Sequence, residues 1–135
     1  MALFAIMLLF VFLPLLAIAM NFPKAIYVRV QLQAATDAAC EAAAQAVDYA
    51  AFQNAGDAQI DLSLGSGWAY REFIKSVNNA DIVEYSPSLN SIYRISPLVV
   101  ECNASASVAG YLHKFIGADF IVSATSVSET RMGSQ

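Results

Sequence analysis

The residues able to do chemistry are few and scattered. Cys40 and Cys102 are the only cysteines in 135 residues, too far apart in sequence for the short-spaced pairs that zinc or redox motifs require. In a small exported domain such an even pair reads as a disulfide, Cys40 to Cys102, which would close a long loop and contribute on the order of 4 kcal/mol in the chain-entropy picture. In a reducing compartment the same residues read as two buried free thiols. His113 is the single histidine and, beside Lys114, reads as an exposed loop residue. Asp57 and Asp61 in DAQIDLSLGSG lack the ligand spacing of an EF-hand calcium loop. No G-x-S-x-G, paired-histidine motif or glycine-rich phosphate loop occurs. No catalytic, metal-binding or cofactor-binding residue is expected, and the chain does not read as an enzyme. Asn103-Ala104-Ser105 fits the glycosylation acceptor pattern, which makes Asn103 a candidate modification site. Seven Lys+Arg against 11 Asp+Glu leave a net charge of −4, with the cations spread singly. No basic patch for phosphates results, so nucleic acid is not an expected partner.

The elements that must position these residues begin with a run unlike the rest. Residues 1–22, MALFAIMLLFVFLPLLAIAMNF, contain no charged side chain. As a helix they reach roughly 33 Å, which matches the ~30 Å hydrocarbon core of a bilayer. The mean hydropathy of +0.53 is raised by this run; from about Lys24 on the composition is that of an ordinary small domain. A secretory signal has a shorter apolar core, a basic stretch before it and a small-residue cleavage site after it. Here the run continues instead into AIYVRVQLQAATDAACEAAAQAVDYAAF, which reads as unbroken helix. Lys24 and Arg29 flank the run on its C-terminal side, which by the positive-inside rule would keep the domain in the cytoplasm. That conflicts with a disulfide. A short basic leader removed from in front of Met1 resolves the conflict and exports the domain.

No glycine occurs from Met1 to Phe52, and Pro14 and Pro23 are the only helix breakers, each expected to kink or loosen the helix. Pro14 lies at bilayer depth, where a freed carbonyl needs packed protein neighbours. Ala34, Ala35, Ala38, Ala39, Ala42, Ala43, Ala44 and Ala46 combine helix propensity with small volume and permit close approach of another element. Cys40, Ala44, Val47 and Ala51 fall on one stripe expected to lie under the domain. The helix is expected to end near Asn54-Ala55-Gly56 with glycine as cap. Ser66 is expected to cap a short second helix in which Tyr70, Phe73, Ile74 and Val77, with Trp68 at the start, build the core. Residues 81–85, 91–95, 98–108 and 119–129 read as three or four antiparallel strands, separated by Ser86-Pro87, Ser96-Pro97 and Gly110/Gly117. In the last, Phe120, Val122, Ala124, Ser126 and Ser128 share the packing face. The fold class is α+β: a long kinked N-terminal helix with an apolar first half, then a small domain of a short helix and a sheet packed on the long helix. Three segments are expected: an apolar transmembrane or filament-core helix at 1–23, an alanine-rich continuation at 24–54, and a head at 55–135.

With those residues in place, the chain resembles the tight adherence (Tad) pilin-like proteins of the TadE/TadG group and, more broadly, type IV pilins. The likeness rests on the apolar helix running into YVRVQLQAATDAACEAAAQA, on the stretch from Arg29 to Ala39, and on a V-x-C-x-A strand followed by IVSATSVS. It implies a precursor whose basic leader is cut by a prepilin peptidase, membrane residence, and extraction by secretion and assembly machinery into an extracellular helical homopolymer for adhesion or motility. In such a fibre Leu3, Phe4, Ile6, Leu8, Leu9, Phe10, Phe12, Leu13 and Pro14 pass from lipid to a core of identical helices. One departure stands out: many pilins carry an acid near the mature N-terminus, whereas this chain has Ala5 there and no acid before Asp37. The alternative is a membrane-anchored, exported binding or pilus-assembly accessory domain that does not polymerise.

Overall fold

The computed structural model describes residues 2–82, 84–110 and 119–131. Helix α1 (Ala2–Ala44) runs through both Pro14 and Pro23. The expected continuation to Gly56 divides into two helices. The chain turns after Ala44, and the turn is held by Thr130 Oγ1, which donates to the Ala44 carbonyl at 2.6 Å, satisfying one of the last orphan acceptors of α1. Val47 pairs with Ile60 in an isolated bridge, reinforced by Asp48 N–H to Gln59 O at 2.8 Å and Asp61 N–H to Ala46 O at 2.7 Å. Asp48 then starts α2 (Tyr49–Ala55) by accepting from the Ala51 N–H; a short acceptor side chain competes with helix continuation and favours a fresh N-cap. Gly56 closes α2 as expected, at φ 72°.

Helix α3 (Leu62–Asn79) is capped by Asp61, not by Ser66. Asp61 accepts from Ser63 N–H at 2.9 Å and Leu64 N–H at 3.2 Å. Its buried residues are Gly65, Ala69 and Phe73, at i, i+4 and i+8, so the aromatic core expected of this helix reduces to Phe73. Trp68 stays 39% exposed, and Tyr70 and Ile74 more so. The cause is proximity: a Cβ on Gly65 would lie 3.0 Å from the Ala43 carbonyl oxygen and 3.3 Å from Ala46 Cβ. Helices this close leave room for small side chains between them and push large rings to the flanks.

Three antiparallel strands follow, β1 (Tyr85–Ser96), β2 (Val99–Ala109) and β3 (Asp119–Glu129), in the order β1-β2-β3. Of the strand expected at 81–85 only Tyr85 is in a strand, β1, which also takes in the one expected at 91–95. It contains Pro87 and a register shift between Leu89 and Ser91, both tolerated because β1 is an edge strand. Central β2 alternates strictly: Val100, Cys102, Ala104, Ala106 and Val108 are buried. Opposite it, Val122, Ala124 and Ser126 of β3 are buried as the alternation predicts. That face lies on α1, whose buried side is Val28, Leu32, Ala35, Thr36, Ala39, Cys40, Ala43 and Ala44. The alanine face is thus confirmed for Ala35, Ala39, Ala43 and Ala44, while Ala34 is exposed, and Val47 and Ala51 are half-buried beyond the end of α1.

Candidate functional site

Among the described residues the chemistry-bearing side chains do not converge on one cluster. Asp61 uses its carboxylate as a helix cap, and the Leu64 and Ser63 N–H groups hold that carboxyl below the usual carboxylate range. Among the described residues no group of three His, Cys, Asp or Glu side chains is placed to hold a metal ion. His113 lies outside the described residues. Asn103 sits half-buried on the outer face of β2 with its amide engaged: it donates to Glu101 Oε1 at 3.2 Å and Ser91 Oγ at 3.4 Å, and accepts from Thr125 Oγ1 at 2.6 Å. Tyr93 donates to Glu101 on the same face.

What the molecule does present is a bare apolar rod. Leu3 is 84% exposed and Phe10 75%, and Phe4, Ile6, Leu8, Leu9, Phe12 and Leu13 are exposed around the whole helix circumference, as is Pro14. Of residues 3–20 only Ala17 is buried. A helix apolar on all sides demands surroundings as apolar as itself. The first 42 residues of the helix path, Leu3–Ala44, contain a window of mean hydropathy 2.9, long and apolar enough to cross a membrane. The exposed apolar surface does not stop at the head. Phe22, Ile26, Tyr27 and Val30 stay exposed on the side of α1 turned away from buried Val28 and Leu32.

The head grips the second half of α1 by polar ties at the edge of an apolar seam. Lys24 Nζ donates to the Ala109 carbonyl at the end of β2, 2.7 Å away. Gln33 Nε2 bridges Asp37 Oδ1 at 2.9 Å and the Thr125 carbonyl at 3.0 Å. Thr36 is fully buried and returns its hydroxyl to the Leu32 carbonyl at 2.7 Å. Deeper still are the two cysteines. Both are fully buried, Cys40 on the seam face of α1 and Cys102 on the facing side of β2, and the disulfide expected between them is not formed in this structure. Cys40 Sγ donates toward Val100 O at 3.3 Å and Ser126 O at 3.4 Å. The Cys40 sulfur beside it, together with burial, pushes the Cys102 thiol far above the usual range.

Sequence reasoning missed several of these positions. Leu32 and Val28 were legible as the i, i+4 continuation of the alanine face. Lys24 as a strand-end donor, Thr130 as a helix cap and Gly65 as a contact glycine carry no local signal, because each acts on a residue remote in sequence.

Against this geometry, residues 1–46 match the Tad family model, described as "Putative Flp pilus-assembly TadE/G-like". The match ends two residues beyond α1 and covers the rod together with the helical seam under the head. The N-terminal third is therefore similar to that of TadE/G-like proteins. No curated protein and no solved structure matches the chain.

Proposed function

We propose that this chain is a pilin-like structural subunit of a Tad pilus, without catalytic activity, that polymerises through its N-terminal rod into an extracellular helical filament serving adhesion or motility. The observation that carries the reading is the rod: an uncharged apolar helix, exposed along residues 3–20 except at Ala17, that continues without a break into the spine of the head. Before assembly the rod resides in the cytoplasmic membrane; afterwards Leu3, Phe4, Ile6, Leu8, Leu9, Phe10, Phe12, Leu13 and Pro14 pack on the rods of other copies. Lipid is exchanged for protein. At about 25 cal/mol per Å² of apolar area, leaving such a surface in water is prohibitive, so the subunit passes from bilayer to polymer without a free aqueous state. A head-to-tail contact of this kind does not close and propagates as an open fibre. Partners in this scheme are identical subunits, the membrane, a prepilin peptidase acting on a leader, and secretion and assembly machinery. In this division residues 1–23 are the rod, 24–54 the helical neck and 55–135 the head.

A second reading is supported by one observation, the lack of any acid before Asp37: a membrane-anchored accessory protein of pilus assembly that never polymerises. Shearing of surface appendages followed by negative-stain microscopy with an antibody to the head separates the two. Labelled fibres in the sheared fraction are expected. Retention of all the protein in the membrane fraction, with unlabelled fibres, would establish the accessory role instead.

A further inference from the structure

We infer that in the exported protein Cys40 and Cys102, unbonded in this structure, are joined by a disulfide made before the sheet docks on α1, so that the bond is a permanent latch between helix and central strand and not a reversible switch. The placement comes from three observations. Cys40 Sγ lies within 3.4 Å of the Ser126 carbonyl and 3.3 Å of the Val100 carbonyl. Ser126 is the direct cross-strand partner of Cys102, and Val100 is two positions before it on the same buried face of β2. The Cys40 sulfur is thereby held over Cys102. These are the only cysteines of the chain, so neither has another intramolecular partner.

Burial decides the order of events. Both residues have no exposed surface, and they sit between the seam of α1 and the β2–β3 face. An oxidant of the protein thiol–disulfide oxidoreductase class cannot bring its own sulfurs to either side chain once that seam is shut. In the open chain, the thiolate of one cysteine attacks the oxidant's disulfide. A mixed disulfide forms and one oxidant sulfur leaves as thiolate. The second cysteine, deprotonated, then attacks the mixed disulfide, forming Cys40–Cys102 and releasing the oxidant as a dithiol. Two protons and two electrons leave the pair, and the oxidant accepts both electrons. Docking of the sheet then removes the bond from solvent, and the same exclusion that barred the oxidant bars reductants.

This inference does not require polymerisation, since it rests on the head alone. It does need an exported head, so chain isolated from the cell envelope is the material to test. Full-length protein in detergent, alkylated in denaturant without reductant, is expected to show an intact mass 2 Da below the dithiol and no alkyl groups. Native protein incubated with dithiothreitol should keep that mass, and reductant plus denaturant should convert it to a doubly alkylated chain. Chain refolded in reductant should melt about 10 °C or more below the oxidised form. Two alkylatable thiols in the unreduced, denatured chain would overturn the bond itself. Rapid reduction of the native chain would overturn the sealed latch, as would equal melting midpoints.

Discussion

Gly65 and Gly67 occupy the same helix two residues apart and face different worlds. A methyl group on Gly65 meets the Ala43 carbonyl at 3.0 Å, whereas one on Gly67 meets nothing within 4 Å. Glycine in a helix interior costs roughly 0.5–1 kcal/mol relative to alanine, so Gly67→Ala is expected to raise stability by about that amount in urea or thermal unfolding. Gly65→Ala should gain none of it, because a backbone carbonyl would have to yield, and Gly65→Leu should lose roughly 1–3 kcal/mol through overpacking. Equal effects at the two positions would contradict the close approach of α1 and α3. The same closeness explains why the ring of Trp68 lies at the flank of the contact and only Phe73 enters the core.

At the scale of the element, α1 is one helix with two environments. Among the described residues its first half packs only Ala17, and its second half carries Val28, Leu32, Ala35, Ala39 and Ala43 against the sheet and α3. Leu32, fully buried at the seam, and Leu9, exposed on the rod, therefore offer a matched pair of substitutions. Leu32→Ala is expected to destabilise the head by roughly 2–5 kcal/mol, the range for emptying a packed leucine site. Leu9→Ala should leave the melting of the detergent-solubilised chain within about a degree of the parent, because no head contact is removed. A comparable loss from Leu9→Ala would show that the rod folds back on the head. The polar ties around the seam, Lys24 to Ala109, Gln33 to Thr125 and Thr130 to Ala44, fix where along the helix the sheet sits, while apolar burial supplies most of the hold.

The whole molecule is a head that needs water attached to a rod that excludes it. Its core draws on α1 only from Val28 onward, apart from Ala17. A chain lacking residues 1–22 is accordingly expected to remain in the supernatant without detergent and to keep the head's cooperative thermal transition. The full chain should partition into detergent or sediment. If the shortened chain unfolds, the rod contributes to the head's core, and the separation of roles along α1 fails. The proposed filament and a membrane would each provide the rod with an apolar environment and leave the head outside it.

How much of this was legible beforehand differs from element to element. The rod was plain because hydropathy acts locally: a charge-free run of that length is apolar whatever the remainder of the chain does. The alternation of β3 and the capping glycine at Gly56 were readable for the same reason. A Cys40–Cys102 disulfide was the expectation from residue type, whereas the burial of both residues at the seam came from the fold. Local signals misled where two of them competed. Asp48 falls inside the helix expected to run to Gly56, yet it starts a new one, because Thr130 and Ile60, remote in sequence, hold the turn before it. Asp61 outcompeted Ser66 as the cap since the bridge at Ile60 sets where the chain can enter α3. Residues 81–96 read as two strands because Pro87 looked like an interruption, and its edge position makes it harmless. Sequence alone thus determined the apolar rod, the small-residue seam and the strand faces, all properties carried by single residues and their spacing. Tertiary structure decided which aromatics are buried, where α1 ends and what the two thiols touch, because those depend on distances between elements that no local window contains.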